Sequence, residues 1–248
     1  MKLLRGDGAL LRVGHRGAAA LAPENTLRSF EAALACGVDA IEFDVVNRDA
    51  GPLVLGHSLA EVGPDAPALD DALEFLAGHD VAAHVDLKLT TRLDEVAAAL
   101  ARRGLTERTV VSSFHLPSLK AIATHAPSLP LGFTYPEDRY GVSRRRALQP
   151  VIRLGTLALR RALVARIPAM IERAGAAALM LHHAVVSAPA VRRAHGAGAA
   201  VWAWTVDDPI ELARLDAAGV DAVITNDPRL FPQGTRSAEA DPVPREDP

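Results

Sequence analysis

Only one cysteine, Cys36, occurs in the 248 residues of this chain. An intramolecular disulfide and a cysteine-based zinc cluster are therefore excluded, and a lone thiol suits a reducing compartment. No run of about eighteen apolar residues exists, so no membrane span is expected. The N-terminal MKLLRGDGALLRV has no apolar stretch long enough for a signal peptide, and a cytoplasmic location is the expectation. Charge of one sign is also lacking. The net charge is −3 and the pI near 6.3, which leaves no overall nucleic-acid signature. Neither GxGxxG nor a P-loop occurs, so a nucleotide cofactor is not expected. Aromatic residues are sparse at 4%, but the apolar fraction of 49% is ample for a core.

What the chain does have is regular alternation. Strand-like apolar runs read as 11–14, 40–46, 81–87, 109–114, 129–134, 177–182, 200–206 and 222–225, with a short extra extended piece at 53–56. Helical patterns lie between them, at 25–36, 69–77, 91–103, 116–125, 188–197 and 209–218. The first opens on an Asn25–Thr26 cap and stops at Gly37. Eight strands alternating with helices imply parallel βα units. The count and the length predict a (β/α)8 TIM barrel over residues 1–232, a single domain with a reduced insertion after the second strand. The polar, Pro-rich residues 233–248 read as a disordered tail.

The segment 139–173 stands apart. From Glu137 to Arg173 nine arginines face three acids. Pro150 is placed to open a helix and Pro168 to close one. Leucines and arginines alternate between them at roughly helical spacing. Such a helix suits peripheral contact with an anionic membrane. The alternative is a solvated helix whose arginines pair with barrel acids.

The chemistry gathers at strand ends. His15, Asp44, Lys88, Phe114, His182 and Asn226 fall near the carboxyl ends of their strands, where barrel active sites are assembled. Residues two apart in a strand share a face. Glu42 and Asp44 therefore project together, flanked by apolar Ile41, Phe43 and Val45, and so do Asp86 and Lys88. Three carboxylates, Glu42, Asp44 and Asp86, suit a hard divalent cation, Mg²⁺ or Ca²⁺ with Mn²⁺ as a further option, better than zinc. His15 and His57 can serve as general acid and base near neutral pH. Arg16 and Lys88 can offset the charge of a phosphate; Arg16 could equally bridge to Glu42 or Asp44. Trp202 and Trp204 share a strand face: both can be core, or Trp204 can cap the pocket. Phe114 is a second candidate for substrate contact. His182 and His183 read as pocket residues or as a capping, solvated pair.

The ordered set His15–Gly17, Pro23–Thr26, Glu42–Asp44, His57, Asp86–Lys88, Ser113–Phe114 and Trp204–Val206, closed by GVDAVITNDP, resembles the glycerophosphodiester phosphodiesterase family over residues 11–232. The resemblance implies metal-dependent hydrolysis of a glycerophosphodiester, or of a lysophospholipid, to an alcohol and a glycerol phosphate. It gives His15 and His57 the acid–base roles, Glu42, Asp44 and Asp86 the metal, and Arg16 and Lys88 the phosphate. Three departures stand out. Asp86 replaces the family's usual Glu, one methylene longer. Ser58 follows His57 where the family has Asp. The insertion subdomain after the second histidine is nearly absent, which predicts an open pocket. Two other readings remain: a phospholipase D-like lipid hydrolase of the same barrel type, and a non-catalytic barrel that binds phosphorylated ligands. Retention of both histidines argues against the last.

Overall fold

The computed structural model of the protein describes residues 3–6, 8–48, 51–136 and 149–232, and for 149–157 the backbone only. The strands are β1 (Leu11–Gly14), β2 (Ala40–Asn47), β3 (Leu53–Leu55), β4 (Ala82–Leu87), β5 (Thr109–Ser113), β6 (Leu131–Tyr135), β7 (Ala178–His182), β8 (Ala200–Trp204) and β9 (Ala222–Thr225). They hydrogen-bond in the order β1-β9-β8-β7-β6-β5-β4-β2, and β1 also pairs with β2. These pairs are all parallel, so eight strands close on themselves as the alternation predicted. β3 adds outside this ring, antiparallel to β2, with Val45 opposite Leu55.

The helices are α1 (Leu27–Ala35), α2 (Leu69–Ala77), α3 (Leu93–Arg102), α4 (Leu116–His125), α5 (Gln149–Ala174), α6 (Ala188–His195) and α7 (Pro209–Ala218). Their apolar stripes bury against the outer faces of the strands, as amphipathic helices must. Phe30 of α1, for example, packs on Phe43 of β2 with ring centroids 5.4 Å apart. Inside the barrel, Val13, Val110, Met180, Trp202 and Ile224 fill the floor. Trp202 is fully buried there and donates its indole N–H to the Leu3 carbonyl, so of the two tryptophans it is the core residue.

Two local expectations need correction. The cap of α1 is Thr26, whose hydroxyl accepts from Ser29 N; Asn25 has φ +57 and turns its side chain into the barrel instead. Pro168 does not end a helix, because α5 runs through it to Ala174. An interior proline costs a helix about 3 kcal/mol. Here Leu163, Ile167 and Ala174 bury on either side of it, and that packing holds the helix together. The same stripe decides where the leucine–arginine alternation points. Leu159 and Leu163 face the barrel, while Arg161 and Arg166 are exposed. Arg160 donates to the Ala184 carbonyl. Residues 139–148 and the side chain of Arg153 lie outside the described residues, as do residues 233–248. No helix among the described residues is long and apolar enough to cross a membrane.

Candidate active site

The loop after β1 is where the pocket begins. Gly17 has φ +83, and a Cβ there would come within 2.2 Å of Ser29 Oγ. Only glycine lets the chain pass this close to α1. The preceding Arg16 is held at φ +51, a conformation that L-residues seldom adopt. Its surroundings fix it there: its N–H donates to Glu42 Oε2 at 2.7 Å, and its carbonyl accepts from Asn25 N and Ser29 Oγ.

Parallel register then stacks the carboxylates. Glu42 and Asp44 of β2 lie opposite His84 and Asp86 of β4. All three acids are buried, and one oxygen from each can be chosen so that all lie within 4.8 Å of one another. Buried charge on this scale needs compensation. Lys88 Nζ sits 3.1 Å from Asp44 Oδ1 and also bonds Asp86 Oδ2. Arg16 Nε lies 3.1 Å from Asp44 Oδ2, and its Nη1 reaches Glu24. Asn25, expected to cap α1, grips Asp44 twice: its amide donates to Oδ2 and its Oδ1 accepts from the Asp44 N–H.

These partners split the acids. Burial alone would push Asp44 up, but Lys88 and Arg16 outweigh it and hold the carboxyl below its ordinary range. Glu42 goes the other way, raised well above 4.5 by burial and then by Asp44 and Asp86. Lys88 is raised because Asp86 and Asp44 outweigh its burial. A dense, buried cluster of three carboxylates, one of which resists ionising alone, could hold a divalent cation.

His15 stands beside this cluster, its Nε2 3.9 Å from Glu42 Oε2. Its Nδ1 lies 2.7 Å from Asn226 Oδ1, while the Asn226 amide donates to Asp207. That bond to Asp207 turns the amide oxygen towards the ring, so Nδ1 carries the proton and Nε2 presents its lone pair to the cavity. Burial, followed by the nearby Arg16, lowers the His15 pKa below 6.5, which favours this neutral form.

The remaining candidates line the same cavity, of about 1010 Å³, without touching the carboxylates. His57 follows Gly56, where a Cβ would meet Val62 Cγ2 at 2.3 Å. Its side chain is 40% exposed at the rim and pairs with Glu61 at 3.4 Å. Phe114 lies with its ring centroid 5.9 Å from Lys88 Nζ. Trp204 spends its N–H on the Met180 carbonyl and offers only its ring, set edge-on to His182 at 5.1 Å. His182 both caps the turn that follows β7 and lines the pocket; His183 turns away to Glu211. Residues 56–67 carry no helix or strand, so no subdomain covers this part of the mouth.

Sequence comparison and fold comparison point the same way. The family model described as "Glycerophosphoryl diester phosphodiesterase family" matches residues 15–71 and 67–230. A glycerophosphodiester phosphodiesterase of Caldanaerobacter subterraneus subsp. tengcongensis is 24% identical, over 89% of this chain and 96% of that protein. A solved structure from Silicibacter pomeroyi superposes with a TM-score of 0.73 at 24% identity, covering 92% of this chain and 93% of that one. A phosphodiesterase of Oleispira antarctica, solved with its product sn-glycerol-3-phosphate, gives 0.66 at 22% identity, over 88% and 94%. At such identities the structures establish the fold, and the family model, spanning the barrel from His15 to Leu230 with the acidic cluster inside it, establishes more: the chain belongs to the glycerophosphoryl diester phosphodiesterase family.

Proposed function

We propose that this protein hydrolyses glycerophosphodiesters to glycerol phosphate and an alcohol, with a divalent cation as cofactor. The observation that carries the reading is the buried Glu42–Asp44–Asp86 cluster beside a neutral His15 in one open cavity. Those three carboxylates would hold the cation, Mg²⁺, Ca²⁺ or Mn²⁺. It would supply Lewis-acid stabilisation of the phosphate oxygens.

The chain's own residues account for the rest. His15 Nε2 takes the proton from the glycerol hydroxyl beside the phosphate, and that oxygen attacks phosphorus. His57 gives a proton to the departing alcohol oxygen as its bond to phosphorus breaks, leaving a cyclic phosphate. Water then opens the ring, His57 accepting its proton and His15 returning one to the glycerol oxygen. A positioned acid or base contributes about 10²- to 10⁴-fold to such steps. Arg16 and Lys88 face the phosphate charge, and Phe114 and Trp204 pack against the organic part of the substrate.

Lysophospholipids fall within this reading because the cavity is at the large end for small-molecule sites, commonly about 300–1,000 Å³, and is uncapped at 56–67. Leu59, 53% exposed on that rim, offers an apolar contact to a long leaving group. Peripheral contact with an anionic membrane through 139–173 belongs to the same reading, with the exposed Arg161 and Arg166 as described contributors. So does a cytoplasmic, reducing setting, which the free thiol of Cys36 suits.

A cation-supplemented hydrolysis screen over glycerophosphodiesters and lysolipids, with His15→Ala as control, tests the proposal. Release of glycerol phosphate dependent on His15 supports it. Release of a free headgroup instead favours phospholipase D-type chemistry, and no turnover of any substrate favours a binding barrel.

A further inference from the structure

Beneath the carboxylate cluster lies a pair of polar side chains that the proposed reaction does not use. His84 precedes Asp86 by two residues on the inward face of β4 and is 2% exposed. Its Nε2 lies 2.8 Å from Ser112 Oγ on β5. Ser112, equally buried, donates from Oγ to Asp86 Oδ1 at 2.7 Å. The contact follows from register, which sets Asp86 directly opposite Ser112.

A serine hydroxyl has one proton to give. Here it goes to the carboxylate, so towards His84 the oxygen accepts, and the imidazole carries its hydrogen on Nε2. The ring is wedged edge-on against Trp202, centroids 5.4 Å apart at 88°. Trp202 is fully buried and backs the imidazole on that side. Among the described residues His84 Nδ1 has no hydrogen-bond partner, which leaves the bond to Ser112 as the ring's described polar tie.

We propose that Ser112 and His84 are positioning residues for Asp86. They form a buried donor chain, His84 Nε2–H to Ser112 O–H to Asp86 Oδ1, that aims a carboxylate one methylene shorter than the glutamate usual in the family. The inference rests on Asp86 being a cation ligand, as proposed above. Asp86 is pulled from two sides: Lys88 holds Oδ2 and Ser112 holds Oδ1. Removing the Ser112 hydroxyl leaves only the pull of Lys88, and the short side chain turns towards the ammonium and away from Glu42 and Asp44. A glutamate at 86 would carry its oxygens past Ser112 and would not depend on it. Partners that orient metal ligands are typically worth about 10- to 100-fold in affinity.

Calorimetric titration of the metal-free, full-length protein with Mg²⁺ and with Mn²⁺ tests this, alongside thermal melts with and without cation. Ser112→Ala should weaken binding by about 10- to 100-fold. His84→Phe should weaken it less, because Ser112 keeps its own proton for Asp86, and the double variant should be no weaker than Ser112→Ala alone. In an Asp86→Glu background, adding Ser112→Ala should change the Kd by no more than about twofold, the limit expected of independent sites. A fold defect lowers the melting temperature of the metal-free protein, whereas loss of the chain shrinks only the rise that the cation produces. Unchanged cation binding in Ser112→Ala, or an equal loss in the Asp86→Glu background, overturns the proposal. Absence of cation binding by the wild type overturns the metal reading and this one with it.

Discussion

On one side of the pocket β1, β2 and β4 bring His15, Glu42, Asp44, Asp86 and Lys88 into a packed ionic network. On the other, β6, β7 and β8 present Thr134, Met180, His182 and Trp204, a wall with aromatic rings and few charges. The first side is over-determined: each carboxylate has at least one fixed partner, and the backbone at Arg16 is bent to make a bond to Glu42. On the second, Trp204 donates to the Met180 carbonyl and His182 accepts from Ala184 N, while Thr134 Oγ1 has no hydrogen-bond partner among the described residues. Tight electrostatics on one flank and unspecific surface on the other suit chemistry fixed at a phosphate and tolerance of what is attached to it. Perturbing the two sides should therefore give different signatures.

The largest effect should come from the ionic side. Treatment with a chelator should abolish turnover, and re-adding Mg²⁺, Ca²⁺ or Mn²⁺ should restore it; full activity in metal-free protein would remove the cation from the reaction. Next, His15→Ala and His57→Ala should each lower kcat by about 10²- to 10⁴-fold with little change in melting temperature. Near-wild-type turnover in either would take that histidine out of the mechanism. On the aromatic side, Trp204→Ala should act mainly through KM, by about tenfold, and unequally between a lysolipid and a small glycerophosphodiester, since lost packing of about 1–3 kcal/mol is not tied to the reacting atoms. A pure kcat loss equal for both substrates would place Trp204 with the ionic side.

A smaller effect concerns pH. The raised Glu42 favours the metal-free fold when protonated, a contribution fully present below 4.5 and lost as pH rises through its higher value in the folded protein. A cation needs Glu42 ionised and releases that proton on binding. The rise in melting temperature that Mg²⁺ produces should therefore grow as pH increases through this window. A constant or falling increment would mean Glu42 is not a ligand. Smallest of all, changing the exposed Arg161 and Arg166 to Gln should reduce co-sedimentation with anionic vesicles at low salt while leaving hydrolysis of a small soluble substrate unaltered. Equal sedimentation of wild type and variant would assign those arginines to the barrel surface alone.

Much of this was legible beforehand because strands and barrels are periodic. Alternation placed Glu42 with Asp44 and Asp86 with Lys88, and the strand ends placed His15, Phe114 and Asn226 at one level. The same rule puts His84 on the inward face with Asp86, yet a lone histidine in an apolar run reads as core until its neighbour is known. Ser112 carries no signal of its own; its partner lies 26 residues away in sequence. Asp207 behaved likewise, since its role comes from a corner formed by a different strand. Pro168 looks like a helix stop by the local breaker rule, which ignores the burial of Leu163 and Ile167 around it.

Element order, the parallel barrel and the inventory of charged groups at its mouth follow from the order of residues, because hydrophobic period and strand-end position are local properties. Which oxygen meets which nitrogen depends on how the strands pack. Inter-strand register set Asp86 against Ser112, the closing β1–β9 pair set His15 beside Asn226, and the cations Lys88 and Arg16 at Asp44, against burial and two neighbouring carboxylates at Glu42, set the two acids apart although they stand two residues apart on one strand.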